Sequence, residues 1–266
     1  MDPCWILGRR FGLPFLLATL RGLPPPPIHL QLLLGFPLIG EGISFYFSPF
    51  SAFGKAMPLS DRDVRRIVRE VDSVKGVDVV RLVEEASPWF RLLDPPMLRL
   101  SRALAELGVF HVLYGFRPLP FYGVPYVGRD RVFAIAADSA DLGKVFEGLS
   151  RLGFRVLSRS DEGVRLLDLE RYVVIDLVSR PGSLSWDERM IDRCLERSGV
   201  KVLSAEDYAV SLLSRGAGVM AFELASKVIY ANLDRIDRGY LMARASQASV
   251  EEAVRSIVER LEAASR

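Results

Sequence analysis

Apolar residues recur along this 266-residue chain at two spacings, and the switches between them mark out its elements. Past Met57, Val64, Ile67, Val68 and Val71 fall at i, i+3, i+4 and i+7 behind Ser60-Asp61-Arg62-Asp63, an N-cap with early acids. This predicts an amphipathic helix that Gly76 ends. A second helix is expected over 78–90, with Val79, Val80 and Val83 turned inward. Asp94-Pro95-Pro96 starts a third, because aspartate caps and proline suits the first turn. Its stripe is Met97, Leu100, Leu104 and Leu107, and Gly108 stops it.

The pattern then shortens. VFHVLY over 109–114 reads as a strand, followed by a Gly/Pro-rich loop over 115–128 and a second strand from about 131 to 137. Asp138-Ser139 caps a helix that carries Leu142, Val145, Phe146, Leu149 and Leu152 on one face and ends at Gly153. Residues 154–158, 164–169 and 172–178 read as three more strands, with Glu162-Gly163 as a hairpin turn and Arg180-Pro181-Gly182 closing the sheet region. Helical spacing returns over 186–198, 219–230, 234–243 and 250–264, with a brief extended piece at 200–203. Ser204-Ala205-Glu206-Asp207 opens one further helix in a capping-box pattern. The fold class expected is α/β (α+β), a mixed sheet flanked by helices. Its parts are a helical lead-in over 57–103, an α/β core over 104–182 and a helical C-terminal region over 183–266.

Residues 1–56 differ from the rest. They hold six charged residues against 62 in the remaining 210, and four consecutive prolines, Pro24 to Pro27. Arg9-Arg10 precedes an apolar run, but that run contains Pro14, ends at Arg21 and lacks a small-x-small cleavage site. Residues 28–54 are apolar enough for a bilayer, yet Pro37, Glu41 and Pro49 interrupt them. The break favours Met57 as the true start and 1–56 as a mis-called extension. A peripheral membrane or partner-binding tail is the alternative, and a true span the third.

Composition narrows the chemistry. Net charge is +2 with no basic run, so a dedicated nucleic-acid-binding patch is not expected. Arg66, Arg69 and Arg81 alternate with Glu70, Asp72 and Glu84, as on a solvated surface. Cys4 and Cys194 are far apart and the only histidines are His29 and His111, which argues against a disulfide framework or a zinc site. His111 sits among apolar neighbours and reads as structural. Thirty Arg against five Lys, with one Asn and two Gln, fits a thermophile or a GC-rich genome.

The residues with chemistry to offer lie in order through the core: Gly115, Gly123, Asp130, Asp176, Glu206-Asp207 and Asp237. From about 104 to 237 this order resembles the minimal nucleotidyltransferases and their substrate-binding-like relatives. There, a strand ending Gly-Gly or Gly-Ser leads to a strand bearing Asp-x-Asp, and a later strand brings a third Asp. The chemistry asks for this arrangement, since acids at i and i+2 share one face of a strand and can hold Mg²⁺.

The resemblance implies Mg²⁺ as cofactor, Asp130 and Asp176 as catalytic metal ligands, and nucleotide contacts from Gly115, Phe116, Arg117, Gly123 and Arg129. Tyr114 and Tyr122 are expected beside Arg117 and Arg129 at the pocket edge. A nucleoside triphosphate and a protein partner are the expected partners, and a cytoplasmic location follows from the same analogy. The chain departs from the pattern at Phe116, where a second glycine or serine is expected, at Val132, where the second acid would stand, and in lacking a lysine after Glu206-Asp207. Three readings stay open: a nucleotidyltransferase fold without catalysis that binds a nucleotide or partner, an active Mg-dependent enzyme acting on an RNA, protein or small acceptor, and an unrelated α/β protein. The acids also have plain structural readings: Asp130 paired with Arg129 or Arg131, Asp176 with an arginine on the next strand, and Glu206-Asp207 as a helix cap.

Overall fold

The computed structural model describes residues 59–137, 139–216 and 218–265. The readings made for residues 1–56 and for the Asp138 cap lie outside them. Three helices come first: α1 (Asp61–Asp72), α2 (Val79–Ala86) and α3 (Pro95–Glu106). Ser60 caps α1 in a capping box, its Oγ accepting the Asp63 N–H at 3.2 Å while Asp63 Oδ2 accepts the Ser60 N–H at 3.1 Å. Asp78 and Asp94 cap α2 and α3 in the same way through one side-chain acceptor each. The stripe residues Val64, Ile67, Val71, Met97, Leu100 and Leu104 are all buried, as their periodicity requires. Helix α2 packs into a small core of its own with Val74, Phe90 and Leu92.

The sheet is mixed and has seven strands, β1 (Phe110–Tyr114), β2 (Val132–Ala136), β3 (Phe154–Ser160), β4 (Gly163–Asp168), β5 (Val173–Val178), β6 (Leu195–Arg197) and β7 (Val200–Val202). Their spatial order is β3-β4-β5-β2-β1-β7-β6. The β1–β2, β3–β4, β4–β5 and β6–β7 pairs are antiparallel, while β2–β5 and β1–β7 are parallel. Five strands lie where the alternating pattern put them. The stretch expected as one helix over 186–198 instead contains the short α5 (Glu188–Asp192) followed by β6. Ser198 and Gly199 both take left-handed φ (50° and 81°), which turns the chain back into β7 and ends any helix there.

Helix α3 and helix α4 (Ser139–Arg151) pack against one face of the sheet. Gly148 makes their contact possible, because a Cβ there would stand 2.5 Å from Leu107 Cδ2. His111, on that face, is held by Ser101 at 2.7 Å through Nε2 and by the Val109 carbonyl at 2.9 Å through Nδ1, and burial lowers its pKa. It is structural, as read. The helices α6 (Ala205–Ser214), α7 (Gly218–Ala231), α8 (Arg238–Gln247) and α9 (Glu251–Ala264) complete the described chain. No helix among the described residues is long and apolar enough to cross a membrane.

Asp168 ties α3 to the end of β4, on the face of the sheet that α3 covers. Fully buried, it accepts from the Arg99 guanidinium and from the Glu170 and Arg171 N–H groups at 2.8 and 3.1 Å. Burial alone would raise its pKa, but Arg99 and the two N–H donors outweigh that and hold it below the ordinary value. Its contribution is therefore present at neutral pH and is lost as the pH falls below about 4 through the lower folded value. Asp168→Ala should cost about 2–4 kcal/mol in urea denaturation at pH 7, since it strands buried donors. The deficit should shrink below pH 4, and an equal deficit at both pH values would contradict this account.

Candidate functional site

Strand register assembles the candidate site. Tyr114 of β1 stands opposite Val132 of β2, Val132 is level with Asp176 of β5, and Asp176 with Arg165 of β4. Strands alternate their faces, so these four side chains form one row across the sheet, on the face away from α3. Asp130 precedes Val132 by two residues, immediately before β2 begins. The position where the resemblance asks for a second acid therefore lies directly beside the one offered for the third.

Asp176 in this row and Asp130 ahead of β2 each have a partner of their own. Asp176, with its side chain 33% exposed, takes Arg165 Nε at 2.9 Å across the β4–β5 ladder. This is the arginine on the next strand that the structural reading named. Asp130 pairs with neither Arg129 nor Arg131. Arg129 lies over the exposed Trp89 ring at 5.2 Å, and Arg131 Nε donates to Asp94 at 2.7 Å. Instead Asp130 Oδ2 accepts the N–H of Phe116 at 2.7 Å. Its Oδ1 is buried and has no hydrogen-bond partner. Burial raises the Asp130 pKa, against the pull of the Phe116 N–H and of Arg215 and Arg117.

That hydrogen bond closes the turn after β1, and glycine is required at its centre. Gly115 has φ +80°, and any Cβ there would collide with Asp130 Oδ2. Its carbonyl accepts the Tyr208 hydroxyl of α6 at 2.7 Å. Gly128 is equally constrained, since a Cβ would stand 2.7 Å from the Arg117 backbone and 2.9 Å from Asp130 Oδ1. Gly123, with φ +81°, ends the short 3-10 turn Leu119–Tyr122.

The other residues expected to touch a nucleotide are engaged inside the protein. Phe116 is buried. Arg117 is buried too, its guanidinium reaching Asp94 at 3.1 Å and the Arg91 carbonyl at 2.8 Å and lying 5.0 Å from the Phe90 ring. Asp94 thus caps α3 and receives both Arg117 and Arg131, pinning the 115–131 loop to that helix. Tyr122 stacks on Tyr208 at 4.3 Å and donates to the Leu203 carbonyl at 2.9 Å. Of the predicted nucleotide contacts, Arg129 alone keeps its side chain at the surface.

Glu206, Asp207 and Asp237, distant in sequence, meet in a separate knot. Glu206 Oε1 accepts the Asp237 N–H at 2.9 Å, and Asp237 caps α8. Fully buried Asp207 takes Arg244 Nε at 2.7 Å and the Tyr240 hydroxyl at 2.8 Å, and its N–H is capped by Ser204 Oγ, the N-cap of α6, at 3.1 Å. These acids join α6 to α8. Among the described residues no group of three or more His, Cys, Asp or Glu could hold a metal ion. With Asp130 turned to a backbone N–H and Asp176 to Arg165, the donor set does not fit a two-metal centre.

Three residues of this region carry no motif: Tyr208, Ser183 and Arg215. The Arg215 guanidinium lies 5.0 Å from the Tyr114 ring and 5.7 Å from the Phe116 ring, so it sits over the two residues that flank Gly115. Only the fold could bring it there. No protein-family model and no curated protein matches the chain.

Gly115→Ala should destabilise by at least about 2 kcal/mol, from the positive φ and the clash with Asp130. The Asp130 pKa, raised on folding, gives the opposite sign to Asp168. The folded state holds the proton more tightly, so stability is lost as the pH rises from about 4 through the folded value. Asp130→Asn removes that loss. Wild type should fall relative to Asp130→Asn as the pH rises above about 4 in urea titrations, and a flat difference would rule the assignment out.

Proposed function

We propose that this chain is a nucleotidyltransferase-fold protein that has kept the framework of the centre without its catalysis and binds a nucleotide. The observation that carries the reading is the row Tyr114, Val132, Asp176, Arg165. Asp130 stands where the first acid of an Asp-x-Asp strand would be, and the parallel neighbour of that strand sets Asp176 level with the second acid position, the layout that the resemblance implies. What stands in that position is Val132, and Arg165 neutralises Asp176 from the other side. Magnesium, nucleoside triphosphate turnover and transfer to an acceptor belong to the active relatives and not to this reading. A cytoplasmic setting follows from the same analogy.

Chemistry supports the loss of turnover. A two-metal mechanism needs several carboxylate oxygens free to bind cations. Here one acid has become a clamp for the Gly115 turn and the other half of an ion pair. What the lip of the loop offers is Arg129 beside Trp89, which is 63% exposed. Such groups suit a phosphate and a base.

With labelled nucleoside triphosphates and Mg²⁺, wild type should show saturable binding by equilibrium dialysis and no transfer above background. Val132→Asp puts an acid beside Asp176, and detectable Mg-dependent turnover in that variant would support the reading. Wild-type turnover abolished by both Asp130→Ala and Asp176→Ala would refute the claim of lost catalysis. Failure of every nucleotide to bind would refute the claim of binding.

A further inference from the structure

Helices α3 and α4 cover one face of the sheet, and over β3, β4 and β5 the opposite face stands open. Register sets Arg155, Leu167 and Val174 side by side across these three strands. Their neighbours Leu166 and Ile175 are fully buried, so alternation points the row away from α3 and α4. Strand β5 lies inside the sheet, between β4 and β2, yet Val174 is 42% exposed. A solvated sheet face alternates to polar residues, and here two of the three are apolar.

The apolar surface continues into the turn between β4 and β5, where Leu169 and Tyr172 are both exposed, Tyr172 to 79%. The Leu169 N–H donates to the Gly153 carbonyl at 3.0 Å, which sets it beside exposed Leu152. Tyr172 keeps a left-handed φ of 55°, a conformation that strains a bulky residue and that glycine takes freely. An exposed aromatic held under strain, next to a contiguous apolar surface, marks a place where another molecule sits.

Charge and width identify the occupant. Asp176 neutralises Arg165 in the neighbouring row, but among the described residues no carboxylate pairs with Arg155. The occupant therefore brings an acid. A second copy would bring the same unpaired arginine to the interface. A lipid surface would press its anionic headgroups on Glu170, which lies between Leu169 and Tyr172 in the turn. Three strands spaced about 4.8 Å leave about 10 Å between the outer axes, the diameter of one α-helix. A helix laid there completes a layer, as α3 and α4 do on the other face.

We propose that this open face docks an amphipathic helix of a partner protein. Its apolar stripe covers Leu167, Val174 and Tyr172, and a carboxylate on its flank pairs with Arg155. Nucleotide binding is not needed for this contact.

The test selects phage-displayed random peptides of about 16 residues, long enough for about four helical turns, on the immobilised full chain. Val174→Lys serves as the counter-target. Enriched peptides should carry apolar residues at i, i+3, i+4 and i+7 beside Asp or Glu. In calorimetry the best of them should lose about tenfold or more in affinity for Val174→Lys, for Tyr172→Gly and for Arg155→Glu. Tyr172→Gly should keep the thermal midpoint of wild type, since glycine accepts the φ without strain, so its loss of affinity reads the contact and not the fold. No enrichment over the counter-target, or enriched peptides that are basic or lack the helical repeat, would overturn the proposal. So would a dimer in sedimentation that Val174→Lys dissolves, which puts a second copy on the face. Binding to phosphatidylserine vesicles that Val174→Lys abolishes would overturn it too, and would put a lipid surface there.

Discussion

The peptide between Gly115 and Phe116 is gripped from both sides, and the rest of the site depends on that grip. Its carbonyl receives the Tyr208 hydroxyl from α6, and its N–H is given to Asp130 from the mouth of β2. One peptide unit thus joins the central sheet to the C-terminal helices and fixes where the loop leaves β1. Gly115 and Gly128 are the permissions for this arrangement, since neither position has room for a side chain. Arg117 and Arg131, both drawn to Asp94, hold the outer part of the same loop.

This grip gives the acid at Asp130 a structural role that needs no metal. A carboxylate there accepts a backbone N–H inside the protein and tolerates burial because that N–H and nearby arginines offset part of the desolvation. Asp237 and Asp207 have structural roles too: Asp237 caps α8, and Asp207, inside the first turn of α6, is held by Ser204, Tyr240 and Arg244.

Much of the fold was legible because burial writes a period into the sequence. The stripes of α1 and α3 and the alternation of β4 and β5 leave little choice. The β6–β7 hairpin was not legible in the same way: Leu195, Glu196 and Arg197 are all exposed, so no apolar alternation announces the strand. The Ser198-Gly199 turn was the available signal. At the site, the sequence suggested that Asp176 would meet an arginine. It could not show that Asp130 would serve a backbone group fourteen residues upstream, nor that Arg215 would lie over Tyr114 and Phe116. Those contacts are set by the docking of α6, which no local pattern encodes.

The two outer strands of the sheet carry one further consequence. An uncovered strand offers unpaired N–H and C=O groups to any other extended chain, and such edges invite sheet-to-sheet aggregation. Here β3 places Arg155 and Arg159 along its length and breaks register between Val156 and Ser158, while β6 is three residues long and carries Glu196 and Arg197. Charge, a bulge and brevity make both margins poor templates. The sheet is built to end where it does, so a molecule with half its residues apolar can keep its strands to itself.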